Sequence, residues 1–337
     1  MSPDGPRIGA HLPLATGMVN AVDRAHEIGA DAMQIFTDNP TAWKRRAEPP
    51  RELAAFRQRL REYEIGPVSI HASYLVNLAG SHPESFERSI DLLAHELRHA
   101  PTFGARFVNV HIGSHLGLGV TAGIERLAEG IRRTLWAADA PPDDAGAAPD
   151  DEDAGAAPDN VPAVPAMLVL ENSAGSGGGL GTNVHELARI GAAISALGIP
   201  ADRIGFCLDT AHAWGAGIDM SRPSAIDDLV ATFDARIGLD RLVMVHLNDS
   251  RSERGSRTDR HEHLGAGRIG PAGLAHVLCH PRLAHATFML ETPGMDVGYD
   301  AINLRRARAL AAGVPMEPLP DGAFQLRGSA KARTAPA

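Results

Sequence analysis

Two cysteines in 337 residues, Cys207 and Cys279, are too few for a disulfide framework, and Cys207 falls inside an apolar run, so both are expected as buried free thiols. No apolar stretch approaches the roughly 20 residues that span a bilayer. The start, Met1 to Pro6, lacks the basic opening and apolar stretch of a secretory signal, so the cytoplasm is the expected compartment. Lysine stops at Lys44 and Lys331 against thirty arginines, a coding bias to which no chemistry attaches.

The net charge of −9 would disfavour a polyanionic partner if it were evenly spread. It is not: residues 137–165 carry eight acids and no base, and without them the chain stands at −1. That stretch is rich in Asp, Ala, Pro and Gly and repeats Asp-Ala-Gly-Ala-Ala-Pro-Asp at 144–150 and 153–159, which reads as a disordered insertion with a slipped duplication. Periodicity is lost again after about Val314, so a single domain over 1–314 is expected, with 315–337 as a flexible tail.

What the chain does have is a set of short apolar runs that stop on metal-binding side chains. They are Val68–His71, Phe107–His111, Met167–Glu171, Phe206–Asp209, Val243–His246 and Phe288–Glu291. A run that is apolar throughout suits a strand of a parallel sheet covered on both faces. Arg7–His11 and Ala32–Thr37 bring the strands to eight. Helical patterns fill the gaps at Val19–Ile28, Arg51–Tyr63, Pro83–Ala100, Thr121–Leu135, Val184–Leu197, Pro223–Ile237, Pro271–Leu278 and Asp300–Ala311. Eight strands alternating with eight helices is the count of a (β/α)8 TIM barrel, whose strand ends all meet at one face. The run ends lie 37 to 45 residues apart except for His111 to Glu171, which falls from 60 to 31 once the 29-residue insertion is removed. The insertion therefore belongs between the fourth helix and the fifth strand, on the face opposite the pocket.

Two local pairs add to the six strand ends: Asp209 with His212, and Asp259 with His261. The candidate ligands are then His71, His111, Glu171, Asp209, His212, His246, Asp259, His261 and Glu291. Nine is too many for one ion, since a catalytic zinc takes about three protein ligands. Three ions fit better. Mixed imidazole and carboxylate donors favour zinc, with manganese or iron as alternatives, over magnesium or calcium. Other histidines, among them His11, His185, His263, His276 and His285, are expected in ordinary packing roles.

Several strings, in order, resemble the endonuclease IV family: His71-Ala-Ser-Tyr-Leu-Val-Asn-Leu78, Asn109-Val-His-Ile-Gly-Ser-His115, Leu208-Asp-Thr-Ala-His-Ala213, His246-Leu-Asn-Asp-Ser250, Gly255-Ser-Arg-Thr-Asp-Arg-His261 and Leu290-Glu-Thr-Pro293. The resemblance spans about residues 7–311. It implies a DNA repair enzyme, a trinuclear zinc TIM barrel that hydrolyses the phosphodiester 5′ to an abasic site, leaves a 3′-hydroxyl and trims 3′ ends. His71 and His111 would hold one zinc, with Glu171 bridging to a second completed by Asp209, His246 and Glu291. His212, Asp259 and His261 would hold the third, and manganese is an alternative at one of the three sites. Glu291 would orient or deprotonate the nucleophile, so Glu291 and the bridging Glu171 are the expected catalytic carboxylates. Contacts to double-stranded DNA would come from Asn39, Trp43, Tyr74, Leu75 and the arginines Arg251, Arg254, Arg257 and Arg260, with Tyr74 as a wedge and the protein acting as a monomer.

The rival enzyme class is a metal-dependent sugar isomerase or epimerase of the xylose-isomerase-like barrels, which also bring His, Asp and Glu to strand ends but lack the Asp259 and His261 pair. A non-catalytic DNA-binding barrel is the third reading. Because the acidic insertion belongs on the far face, deleting residues 140–160 is expected to leave DNA incision unchanged; a large loss in a gel-based incision assay would show that the insertion takes part.

Overall fold

A computed structural model describes residues 6–46, 50–140 and 165–326. Its strands are β1 (Ile8–His11), β2 (Ala32–Ile35), β3 (Val68–His71), β4 (Ala105–His111), β5 (Met167–Glu171), β6 (Ile204–Asp209), β7 (Leu242–His246), a short antiparallel pair β8 (Asp249–Ser250) and β9 (His261–Glu262), and β10 (Thr287–Leu290). Eight of them, all but the β8–β9 pair, run parallel and close into a barrel in which β10 pairs with both β7 and β1. This is the expected TIM barrel.

Around it lie α1 (Met18–Ile28), α2 (Leu53–Glu62), α3 (Pro83–His99), α4 (Val120–Asp139), α5 (Val184–Ala196), α6 (Thr210–Gly215), α7 (Pro223–Arg236), α8 (Gly270–Leu278) and α9 (Tyr299–Ala312). Local chemistry sets their ends. α3 opens on a proline, whose missing N–H costs nothing there, with Glu84 in its first turn. α5 starts where Asn183 accepts the backbone N–H of Glu186 at 3.0 Å, and α1 stops at Gly29 in the left-handed region. The longer helices bury one face; on α3 it includes Phe86, Ser89, Ile90, Leu93 and Leu97, at spacings of three and four.

Two apolar layers result. Outward-facing strand residues such as Ile8, Ile35, Ile70 and Phe206 pack against the helices. Inward-facing residues Ala32, Phe107, Val169, Cys207, Met244 and Met289 fill the barrel itself. A strand period of two then carries the next inward position of most strands to the C-terminal mouth.

Three expectations need correction. The insertion does not begin at 137: α4 runs on through Asp139, because Arg98 donates to the Ala137 carbonyl and Arg203 pairs with Asp139 at 2.7 Å. Residues 141–164 lie outside the described residues. Residues 327–337 lie outside the described residues, and 315–326 are not a flexible tail: Ala323 and Leu326 are buried, Met316 packs against the core, and the Ala323 carbonyl meets His263 Nε2 at 3.0 Å. Apolar spots in a non-periodic stretch were enough to dock it. Cys279 is exposed, since it caps α8 instead of lying within it. Among the described residues no helix is long and apolar enough to cross a membrane.

The barrel wall leaves no room at Gly9, where an added Cβ would sit 2.3 Å from the Ala32 carbonyl oxygen and 2.8 Å from Met289 Sδ. Gly9→Ala is therefore expected to destabilise the fold by about 1–3 kcal/mol, the range for overpacking, as read from the urea midpoint; an unchanged midpoint would mean that the wall yields.

Candidate metal centre

All nine predicted ligands converge at the C-terminal mouth. β3, β4, β5, β6 and β7 end on His71, His111, Glu171, Asp209 and His246, and Glu291 follows β10 directly. The ligand atoms of His71, His111 and Glu171 lie within 4.8 Å of one another, as do those of Glu171, Asp209, His246 and Glu291, and those of Asp209, His212 and His261. Asp259 joins the last group from the loop between β8 and β9, with Oδ1 3.0 Å from His261 Nε2 and Oδ2 3.2 Å from His212 Nε2. Glu171 and Asp209 each belong to two of these groups.

The Asp209 and His212 spacing has a local cause. Asp209 ends β6 and is also the N-cap of α6, where its Oδ1 accepts the His212 backbone N–H at 2.7 Å. The cap turns the His212 side chain toward the pocket and leaves Asp209 Oδ2 facing it. α6 itself was not expected from the sequence, being only six residues long.

Hydrogen bonds settle which ring nitrogen each histidine presents. A backbone carbonyl can only accept, so Nδ1 of His71 donates to Ala72 O at 2.7 Å, Nδ1 of His212 to Asn172 O at 2.9 Å, and Nδ1 of His261 to Glu291 O at 2.8 Å. Their Nε2 atoms are thereby turned into the pocket, the arrangement that metal-ligating histidines use. The carboxylates are held in a parallel way by amides. Asn109 donates to Glu171 at 2.6 Å, Asn248 to Asp209 at 2.7 Å and Gln34 to Glu291 at 2.7 Å.

Buried polar atoms in a native fold are hydrogen-bonded. Glu171 Oε1, His246 Nδ1 and His261 Nε2 are buried there without a hydrogen-bond partner. The orphaned atoms and the mixed donor set of imidazole and carboxylate both fit a divalent transition metal.

Sequence reasoning missed part of this site. His11 does not pack in an ordinary role: it ends β1, lines the cleft and lies 3.2 Å from Glu291 Oε1. Gln34, Asn109 and Asn248 were missed as well, although Asn109 stands two residues before His111 and Asn248 two after His246. The period of two that places the ligands was the available signal.

The cleft above has a volume of roughly 510 Å³. Tyr74 stands at its edge, 56% exposed, with its ring 5.2 Å from Phe36 and 5.6 Å from His71. Arg251 and Arg260 line the cleft beside Asp259. The other DNA candidates sit farther out. Arg257 is exposed, Arg254 pairs with Asp219 at 2.5 Å, Leu75 is half-buried, and Asn39 accepts from the backbone and hydroxyl of Thr41. Trp43 packs half-buried against the core beneath the Arg88 guanidinium.

Residues 22–314 match the family model described as a xylose isomerase-like TIM barrel. Curated relatives named "Probable endonuclease 4" come from Halorhodospira halophila, 41% identical over 87% of this chain and 90% of the relative, and from Methanoculleus marisnigri, 38% identical over 90% and 98%. The chain belongs to the endonuclease 4 family. The solved endonuclease IV of Thermus thermophilus superposes with a TM-score of 0.74 at 36% identity, covering 92% of this chain and all of that one. Membership of the endonuclease 4 family implies a metal cofactor, and the clusters above are where this chain offers one a place.

Charge in the metal-free pocket is balanced by protons. Burial alone would push the imidazoles down, yet the carboxylates around them win: His212 and His246 are held well above the usual histidine range, and His261 is pushed up to about 10. Glu171 and Glu291 go the other way, held well below the carboxylate range against the effect of burial by His246 and its neighbours. A divalent ion must displace imidazole protons, so uptake weakens as pH falls. Adding zinc to the metal-free protein at pH 7 is expected to release protons from His212, His246 and His261. Calorimetry in buffers of different ionisation enthalpy measures this, and a buffer-independent heat would show that the rings are already neutral.

Proposed function

We propose that this pocket hydrolyses the phosphodiester on the 5′ side of an abasic site in double-stranded DNA, leaving a 3′-hydroxyl, with three zinc ions as its cofactor. The family carries the coarser part: the protein is an endonuclease, a hydrolase whose substrate is DNA. The convergence of nine imidazole and carboxylate ligands with their tautomers already set supports the finer part.

His71, His111 and Glu171 would hold the first zinc; Glu171, Asp209, His246 and Glu291 the second; His212, Asp259 and His261, with Asp209 at the boundary, the third, with manganese the alternative at one of the three. When bound, the ions bring +6 against the −4 of the four carboxylates, acidify water and offset the charge that builds on the transferring phosphate. The residues themselves do the rest. Glu291 is the most accessible of the three strand-end carboxylates, its side chain 15% exposed where Glu171 and Asp209 are fully buried. It is thus placed to accept a proton from an attacking water at the cleft. Glu171 lies beneath it and holds the first two sites at a fixed spacing.

Arg251 and Arg260 are placed to take phosphates as the backbone enters the cleft, with Arg257 farther out. Tyr74 and Leu75 form the wedge that enters the duplex where a base is missing. Their loop is tied to the Asn39–Trp43 loop, since both the Tyr74 N–H and the Ser73 hydroxyl donate to the Pro40 carbonyl, at 3.1 and 2.6 Å. Trp43 acts through that packing. A single chain supplies every element named, in keeping with a monomer.

The test is a duplex with one abasic analogue, incubated with metal-replete protein with and without a strong chelator. Incision 5′ to the lesion that the chelator abolishes is expected; no incision, or incision indifferent to chelator, would overturn the reading. Glu291→Gln is expected to lower kcat by about 10²–10⁴, the span of a lost general base, while duplex binding measured by fluorescence anisotropy stays close to wild type. Wild-type turnover in that variant would remove Glu291 from its role.

A further inference from the structure

Gln34 is fully buried one residue before the end of β2, and its neighbours dictate which way its amide faces. Ionised Glu291 only accepts, so the atom 2.7 Å from its Oε1 is the amide nitrogen. The amide oxygen then lies 3.2 Å from His246 Nε2, and an oxygen there requires a proton on that nitrogen. Neutral His246 with its proton on Nε2 has a bare lone pair on Nδ1. Nδ1 faces the carboxylates, 3.4 Å from Glu171 Oε2 and 3.2 Å from Glu291 Oε2, and has no hydrogen-bond partner. His71, His212 and His261 present Nε2 and are held by backbone carbonyls. His246 presents the opposite nitrogen and relies on a side chain.

We propose that Gln34 is a positioning residue of the metal centre: one amide fixes His246 to ligate through Nδ1 and turns Glu291 toward the same ion. This rests on the zinc reading given above. The amide nitrogen also lies 3.2 Å from His11 Nδ1, so the same group seats His11 beside Glu291.

The same test of hydrogen-bond polarity rejects a rival metal site elsewhere. Asp227, His276 and His280 also bring three ligand atoms together, between α7 and the end of α8. There His280 Nδ1 accepts the Arg282 backbone N–H at 3.2 Å, which places its proton on Nε2. That proton and the one on His276 Nε2 both point at Asp227 Oδ1, 3.4 and 2.7 Å away. His280 cannot shed the Nε2 proton that faces the carboxylate, because its Nδ1 is held as an acceptor. His246 can give up its Nδ1 proton in exchange for a metal and keep the one that Gln34 accepts.

Two variants separate the two duties of Gln34. Gln34→Met keeps the volume and removes all three bonds; Gln34→Glu keeps an acceptor for His246 and withdraws the donor from Glu291. Zinc retained after dialysis against graded chelator, kcat and KM on the abasic duplex, and the Tm of the metal-free protein are measured for each. Gln34→Met is expected to lose one zinc at about 10–100-fold lower chelator strength than wild type, the usual cost of removing a group that orients a metal ligand. Its kcat should fall with KM little changed. Gln34→Glu is expected to recover most of the zinc retention while kcat stays low. Wild-type zinc retention in Gln34→Met, or a lowered metal-free Tm as its only defect, would overturn the proposal. Equal zinc loss in both variants would overturn the tautomer half of it. A wild-type chain that holds no zinc would overturn the zinc reading itself, and the proposal with it.

Discussion

Three carboxylates, Glu171, Asp209 and Glu291, bring their oxygens within 4.8 Å of one another at the mouth of an apolar barrel, and that concentration of negative charge governs the rest of the structure. A buried carboxylate without compensation costs many kcal/mol. Here the strand-end carboxylates are compensated in layers: an amide takes one oxygen, imidazoles crowd the other, and the divalent ions that the family implies complete the balance. The amides are neutral and fixed in direction. They stabilise the charges without competing for the positions where metal belongs.

Much of this was legible in the sequence because of two periods. Apolar runs ending on His, Asp or Glu located β3 to β7 and β10, and their spacing of roughly one strand-plus-helix unit pointed to the barrel. The same period of two hid other members of the site. Gln34 sits inside β2 one position before its end, and an isolated glutamine in an apolar strand carries no chemical label of its own. His11 ends its strand as the ligands do, so the signal that located them applied to it too, but its run, Arg7-Ile-Gly-Ala, is less apolar than theirs and stood outside the set. Short elements were illegible for a different reason. α6 is a single cap and turn, and the docked segment at Ala323–Leu326 is held by a few burials and one histidine bond with no repeat to announce it.

Direction of hydrogen bonding carries as much information as distance in this molecule. Ligand clusters with similar spacing occur at the barrel mouth and on the α7–α8 surface, and distance alone ranks them alike. What separates them is which ring nitrogen is anchored, and how. In the mouth, carbonyls accept from Nδ1 of His71, His212 and His261 and an amide oxygen accepts from Nε2 of His246, so the inward nitrogen of each ring can give up its proton to make way for a metal. On the helix surface Nδ1 of His280 accepts a backbone N–H, so the Nε2 that faces Asp227 has to keep its proton.

The closing pair of strands has a further consequence. Glu291 follows β10, the last strand of the ring, while the partner strands it completes lie between residues 8 and 246, and β10 must pair with both β1 and β7 before the wall is continuous. A chain that stops short of β10 therefore holds eight of the nine ligands on an open sheet. The strand that closes the wall, Thr287–Leu290, and the ligand that completes the site, Glu291, are adjacent in sequence, so closure of the ring and completion of the pocket arrive together.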